Sequence, residues 1–385
     1  MKPAVAAGHP ATAEAGAEIL LEGGSAADAV VAMALASSVA ETVMSGLLSG
    51  CHAIVFDGSR VLNLDGFAAQ PSGSGDLAEV PIAFGDEVVP YSIGPASCAV
   101  PGLPAVLGEL WERLGRLPWP RLVEPALRLA RAGVEMSEMH GRSLRMFGDV
   151  FRLGRGADLF VRDGRILERG EILDQPGLAD ALEALSSEGW TSAYRGSLAE
   201  ALLAVDGVVI TADDLRDYRA RWRDPVVTRF HGMRVATRGG LSGVPELLAR
   251  MPRLAGLSPT ERVVALVEVF ESDDVGGEHT TNMVAVDAQG RACVLTHSLG
   301  LGAGVWVPGF DTQLNNLLGE SDIAFGHPQP GDRLSSRMAP SLVFDDDGLA
   351  LAIGAAGATR LRTALASVVA GILDEGLDPE AAVVR

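Results

Sequence analysis

Basic charge is the first thing this chain lacks. Lys2 is its only lysine, and 31 basic residues stand against 50 acidic ones, a net charge of −19. Nucleic acid and anionic membrane surfaces are recognised through basic patches, so neither is an expected partner. Cysteine is scarce as well. Cys51, Cys98 and Cys293 are odd in number, far apart and without metal-ligand spacing. Free core thiols are expected, which fits a reducing compartment and a cytoplasmic location. Aromatic residues make up 5% of the chain, and the tryptophans are expected to serve packing. The N-terminal stretch MKPAVAAGHPATAEAG has no basic segment followed by an apolar run, so no signal peptide is expected. The longest apolar stretch, Ala26 to Ala40, contains Asp28 and falls short of the roughly 20 residues that span a bilayer. A buried helix is expected there.

What is present suits a large core. Hydrophobic residues make up 48% and charged residues 21%, a globular composition. Ala11 to Glu22 reads as a helix stopped by Gly23-Gly24, and Ser25 as the N-cap of the next. Cys51 to Asp57 and Arg60 to Asp65 read as a hairpin around Gly58-Ser59. Residues 70–101, rich in Gly, Pro and Ser, read as loop. Helical patterns follow at 101–113, 120–131, 175–188, 197–205, 213–221, 258–271 and 360–375. Strands are expected at 226–237, broken at His231-Gly232, and dominate from Thr280 to Ala352. The order, helices first and a strand-rich last third, points to an α+β fold in one unit spanning 1–385.

The stretch 276–300, GGEHTTNMVAVDAQGRACVLTHSLG, reads as a β-hairpin. Asp287 to Gly290 has turn chemistry, Asp first and Gly last. Thr280 and Thr281 stand at the start of the first strand. With a four-residue loop, Thr280 faces the neighbourhood of His297 and Ser298, and a slip of one residue changes its partner. A threonine hydroxyl is a weak nucleophile without a base beside it. Cutting the chain before it frees an α-amine with a reference pKa near 8, which can serve as that base. Taken alone, paired threonines are explained equally by β propensity.

Several segments in order carry more. They are His9-Pro10 with Gly23-Gly24-Ser25-Ala26-Ala27-Asp28-Ala29; Val100-Pro101-Gly102 with Leu114-Gly115-Arg116-Leu117-Pro118-Trp119; and Tyr194-Arg195-Gly196. Thr280-Thr281-Asn282, Leu314-Asn315-Asn316, Arg333-Leu334-Ser335-Ser336-Arg337-Met338-Ala339-Pro340 and Gly354-Ala355-Ala356-Gly357 follow. Together they resemble the γ-glutamyltransferase family of N-terminal nucleophile hydrolases over nearly the whole chain. The resemblance implies a four-layer αββα sandwich made as a precursor that cuts itself at the His279–Thr280 bond, into a large subunit 1–279 and a small subunit 280–385. It implies Thr280 as nucleophile, Ser298 as a second hydroxyl beside it, and the N–H groups of Gly357 and Ala358 as oxyanion donors. Ser335, Ser336 and Glu320 take substrate-binding positions. No cofactor and no metal are implied. The partners are a small amide or γ-glutamyl substrate and an acceptor, water or an amine.

The pattern breaks where the family holds its substrate. The stretch Asp65-Gly66-Phe67-Ala68-Ala69-Gln70-Pro71 lacks the arginine that grips the α-carboxylate, a bidentate contact that is strong and geometrically demanding. Gly300 stands where the family has Asn or Glu, Leu317 where it has Gln or Glu, and Glu320 (or Asp322 with a gap) where it has Asp. Arg337 and Arg360 are candidate substitutes. The stretch between Leu241 and Glu278 is short for the family, and members continue beyond the position of Arg385. Either the sheet is smaller or this sequence is a piece of a longer one. A γ-glutamyl or other acyl group, as in cephalosporin acylases, and an unprocessed binding homologue all remain open. Asp345-Asp346-Asp347-Gly348 is expected to be a hairpin turn rather than a metal loop.

Overall fold

The helix Ala26–Ala40 is apolar all round, and every one of its residues is buried. Such a helix belongs inside the protein. Its start is set by a capping box: the Asp28 N–H donates to Ser25 Oγ, and the Asp28 carboxylate accepts from the Ser25 N–H at 2.8 Å. The helix before it, Pro10–Leu21, is capped by the His9 ring, whose Nδ1 accepts from the Ala11 N–H. The computed structural model describes residues 2–43, 45–84, 87–270, 280–320, 323, 328–357 and 361–385.

Two antiparallel sheets follow from the strand-forming segments. The first has six strands in the order Ala4–Ala7, Thr281–Val286, Ala292–Ser298, Gly50–Phe56, Val61–Gly66 and Arg221–Arg223. The second has four: Val226–Phe230, Met233–Thr237, Ser341–Asp345 and Gly348–Ile353. Strand alternation sorts the side chains of the first sheet onto two faces. Cys51, Ala53, Val55, Met283, Ala285, Cys293 and Leu295 pack in one cluster with the buried helix. Ile54, Ala292 and Val294 face the other way, against Ala236, Leu342 and Phe344 of the second sheet. The second sheet turns Phe230, Val235 and Val343 toward the helices Val244–Arg250 and Leu361–Leu373.

The expected hairpin is present. Its strands pair Thr281 with His297 and Val286 with Ala292, and Asp287 closes the turn by accepting from the Gly290 N–H at 2.9 Å. The Asp287 N–H also bonds the Arg291 carbonyl at 2.9 Å, so these two residues pair and the loop proper is 288–290, one residue shorter than the four-residue loop. The same register carried one step on sets Thr280 across from Ser298 rather than His297. The expected turn at Asp345 is also present, with Asp345 Oδ1 accepting from the Asp347 and Gly348 N–H groups.

Four regions depart from the sequence reading. The expected dominance of strands from Thr280 to Ala352 holds only at its two ends: among the described residues between Ser298 and Ser341 the strands are the two-residue Trp306–Val307 and Thr312–Gln313. The expected loop 70–101 contains a two-stranded hairpin, Ala78–Phe84 with Glu87–Ile93. The pattern expected to be a helix at 213–221 is helical only over Ala212–Asp217, and Arg221–Arg223 joins the first sheet as an edge strand. The helix Val244–Arg250 had no expected counterpart. The three cysteines are buried free thiols, and burial pushes all three up, Cys98 to about 12.

Candidate functional site

Thr280 lies one residue ahead of its strand and is 1% exposed. By alternation its side chain leaves the sheet on the face that looks toward the second sheet, with Asn282, while Thr281 faces the helices. The loop after the last strand of the second sheet comes over it. There the Gly357 N–H donates to Thr280 Oγ1 at 2.7 Å, and the threonine hydroxyl donates back to the Gly357 carbonyl at 3.3 Å. Two glycines permit this approach. At Gly354 a Cβ would fall 2.0 Å from Asn282 Oδ1, and Gly357 has φ of +131°, outside the range of L side chains. The pair Thr280 and Gly357 is therefore a buried hydroxyl and a backbone N–H within hydrogen-bond reach of each other.

Ser298 closes the opposite strand and pairs with Gly50 on its other side. Its Oγ accepts from the Gly300 N–H at 2.8 Å, which folds the chain sharply after the strand. Gly50 leads in turn to the segment Phe67–Ala68, since a Cβ on Gly50 would meet the Ala68 nitrogen at 2.8 Å. Leu334 N–H then bonds the Ala68 carbonyl, and Ala69 bridges Arg333. This ladder brings Ser335 and Ser336 to the same end of the sheet as Ser298. Ser336 is fully buried; its Oγ accepts from the Met338 N–H and its carbonyl from Arg238 at 2.7 Å. Ser335 is half-buried, its N–H bonded to the Ile323 carbonyl. Glu320 is buried, and its carboxylate lies against Gly300. A Cβ there would sit 2.4 Å from Glu320 Oε1 and 2.2 Å from Asn316 Oδ1. His279, Ala358, Asp322 and Arg360 lie outside the described residues.

Two of the places where the family resemblance lacks polar matches, the stretch around Phe67 and Leu317, are packed with carbon, whereas Gly300 lies against the polar oxygens of Asn316 and Glu320. Phe67 is fully buried and stacked on His52, with ring centroids 5.5 Å apart. It shares a cluster with Ala68, Ala99, Leu317, Ile323, Leu334 and Met338. His52 is held well below its ordinary value by burial and by the Arg238 charge, with Asp65 at 3.6 Å opposing them.

Sequence reasoning missed the polar anchors behind the threonine pair. Glu41, at the end of the buried helix, accepts from Thr12 Oγ1 at 2.7 Å and from Thr281 Oγ1 at 2.5 Å. Burial raises its pKa, against those two hydrogen bonds. His297, across from Thr281, bonds Ser37 Oγ at 2.9 Å, and burial lowers it to about 3. The signal available was a lone acid ending an apolar run, which alone points to nothing. Among the described residues no group of three His, Cys, Asp or Glu could hold a metal ion, and no helix is long and apolar enough to cross a membrane.

Comparison with known proteins gives the chain its relatives. Over 98% of its length the chain is 27% identical to the acylase ACY 1 proenzyme of Pseudomonas sp. (strain SE83), covering 81% of that protein. It is 34% identical to glutathione hydrolase 3 of Arabidopsis thaliana over 60% of this chain and 36% of that one. The fold superposes on cephalosporin acylase from Bacillus halodurans with a TM-score of 0.84 at 23% identity, covering 100% of this chain and 82% of that one. It also matches the gamma-glutamyltranspeptidase of Pseudomonas nitroreducens complexed with L-DON, with a TM-score of 0.56 at 27% identity, over 69% of this chain and 84% of that one. The sequence model described as gamma-glutamyltranspeptidase matches residues 12–263 and 259–385, so the threonine pair, the glycine loop over it and the double serine are features of a chain that belongs to the gamma-glutamyltranspeptidase family.

Proposed function

We propose that this protein is a self-processing amidohydrolase or acyltransferase in which Thr280 is the nucleophile. The observation that carries the reading is the Thr280 Oγ1–Gly357 N–H contact at 2.7 Å, in a buried corner, one residue ahead of a sheet strand. Cutting at 279–280 makes Thr280 a chain end whose α-amine accepts the hydroxyl proton as Oγ1 attacks an amide carbonyl. The N–H groups of Gly357 and Ala358 stabilise the charge on the carbonyl oxygen. The amine returns the proton to the leaving group, an acyl-threonine forms, and water or an amine resolves it. Ser298, across the sheet, orients the nucleophile; Ser335, Ser336 and Glu320 contact the substrate. The helix, sheet, sheet, helix order of the packed clusters supports an αββα sandwich, and the relatives named as proenzymes support two subunits from one precursor.

Denaturing electrophoresis tests the mechanism. Two bands, with Thr280 as the N-terminus of the smaller, are expected; a single full-length band that shows no turnover overturns it. The acyl group needs its own test. The carbon-packed cluster around Phe67 and Leu317 favours an acyl group without a free glutamyl α-carboxylate, so a panel of acyl anilides is expected to be hydrolysed faster than γ-glutamyl anilide. A preference for the glutamyl compound would restore glutathione-type substrates.

A further inference from the structure

Glu41 lies where the chain has every reason to avoid an acid. It is 1% exposed and ends the fully buried helix. Its backbone is fixed on both sides: the N–H donates to Ser37 O at 2.8 Å, and the carbonyl accepts from Ser45 N–H at 3.0 Å. Its carboxyl joins two residues remote in sequence, Thr12 of the preceding helix and Thr281 of the nucleophile's strand. Gly8 closes the space around it, since a Cβ there would come 2.5 Å from Glu41 Oε2 and 3.3 Å from Thr281 Oγ1. Across the strand pair, His297 is tied to Ser37 of the same helix. Both residues of the terminal pair Thr281–His297 are thus fastened to one helix end.

Strand geometry gives these bonds a consequence. Thr280 and Thr281 leave the backbone on opposite faces. Holding Thr281 from the helix side therefore fixes the rotation of the strand start and the direction in which Thr280 points. Once the chain is cut before Thr280, the covalent tether on that side is gone, and a chain end frays unless something holds it. Glu41 stands on the face away from Thr280 Oγ1, so it cannot act as its base. We propose that Glu41 is a positioning residue: by holding Thr281 it aims Thr280 Oγ1 at the Gly357 N–H. The role rests on the reading of Thr280 as nucleophile. Its carboxyl accepts from both threonine hydroxyls, one on each oxygen. A glutamine can still hold the two, accepting from one hydroxyl through Oε1 and donating to the other through Nε2.

Steady-state kinetics on the processed protein, with the best anilide of the panel, tests the clamp. Glu41→Ala and Thr281→Val are each expected to lower kcat by about 10-fold or more with KM within about 3-fold, because a misaimed nucleophile loses rate rather than ground-state binding. The double variant is expected to be no worse than the worse single, and Glu41→Gln to recover most of the rate. Thr281→Val keeps the β-branched shape, so it reads the clamp even where Glu41→Ala fails to fold. A raised KM with unchanged kcat, losses that multiply, or Glu41→Gln as poor as Glu41→Ala overturns the proposal. Absence of cleavage and turnover in the unaltered protein sinks the nucleophile reading instead. Amide hydrogen exchange then decides the clamp: faster exchange at Thr281–Met283 in Thr281→Val supports it, and unchanged exchange overturns it.

Discussion

Two corners of the same sheet end have been treated differently. At the corner proposed to carry the nucleophile, backbone groups hold the hydroxyls: one N–H on Thr280 Oγ1, another on Ser298 Oγ. At the corner proposed for recognition, a few residues along the ladder, Leu317 stands where the resemblance implies a polar residue, and it and Phe67 bury themselves against five carbon-rich neighbours. Reaction chemistry depends on a few atoms at fixed positions, whereas substrate choice depends on the lining, which can change without moving those atoms. The difference implies that the first corner fails on single-atom changes and that the second cannot be turned back by single-residue changes. The largest expected effect sits at the first. Thr280→Ala removes the only group proposed to form the acyl-enzyme, so both the second electrophoretic band and turnover are expected to vanish, a loss of at least about 10³-fold. Retained turnover would move the chemistry elsewhere.

Next is the donor over it. Gly357→Ala keeps the N–H but forces a side chain into φ of +131°, although no described residue crowds a Cβ there. The strain is torsional, about 1–3 kcal/mol. The loop is expected to relieve it by swinging the N–H away from Thr280. Losing one such donor costs about 10²-fold in kcat, with little change in KM. A KM effect alone would show that the loop belongs to the recognition corner instead.

These two corners also differ in how far they can be read from sequence. Local chemistry makes the nucleophile corner legible: a turn beginning with Asp287 and ending with Gly290, a strand on either side, a threonine pair at its start. Even so, the position of Ser298 opposite Thr280 depended on a single residue of turn length. The buried helix is legible because its apolar residues run all round it and Ser25 caps it. Glu41 is not, because its meaning comes from partners 29 and 240 residues away. The hairpin Ala78–Ile93 escapes for a different reason. Pro81 and Pro90 pair directly across it, and proline in both strands argues against a ladder. At the recognition corner the sequence shows which polar residues are missing. It does not show that Phe67 stacks on His52, since that contact joins the strand Gly50–Phe56 to the residue just past the end of Val61–Gly66.

A smaller effect is expected from restoring a family-like residue at the recognition corner. Gly300→Asn tolerates φ of +67° better than most residues, since Asn visits that region. Its Cβ still lands within 2.4 Å of both Asn316 Oδ1 and Glu320 Oε1. The expected outcome is a loss of about 1–3 kcal/mol in stability, the cost of overpacking, and no gain in γ-glutamyl anilide turnover. A gain would mean that the corner is one substitution from glutamate recognition, and the contrast between the corners would weaken.

The smallest effect at neutral pH comes from the histidine behind each corner, His52 beside Phe67 and His297 behind Thr281. Burial keeps both neutral, His297 down to about 3. An unfolded histidine takes up its proton near pH 6.5, so between there and the folded value the unfolded state binds more protons. Stability from these groups is therefore full above about pH 6.5 and is lost as pH falls through the folded value, about 3 for His297, at up to about 1.4 kcal/mol per pH unit for each histidine. Glu41 has the opposite sign, because its raised pKa adds stability at low pH that is lost as pH rises through its folded value. Comparing His297→Gln with the unaltered chain isolates one group from the sum. Urea midpoints from pH 7 to 4.5 are expected to fall less steeply in the variant by about one proton's slope, whatever its stability at pH 7. Parallel slopes would mean that His297 is protonated in the folded protein, and the helix end holding the nucleophile strand would then carry a buried charge.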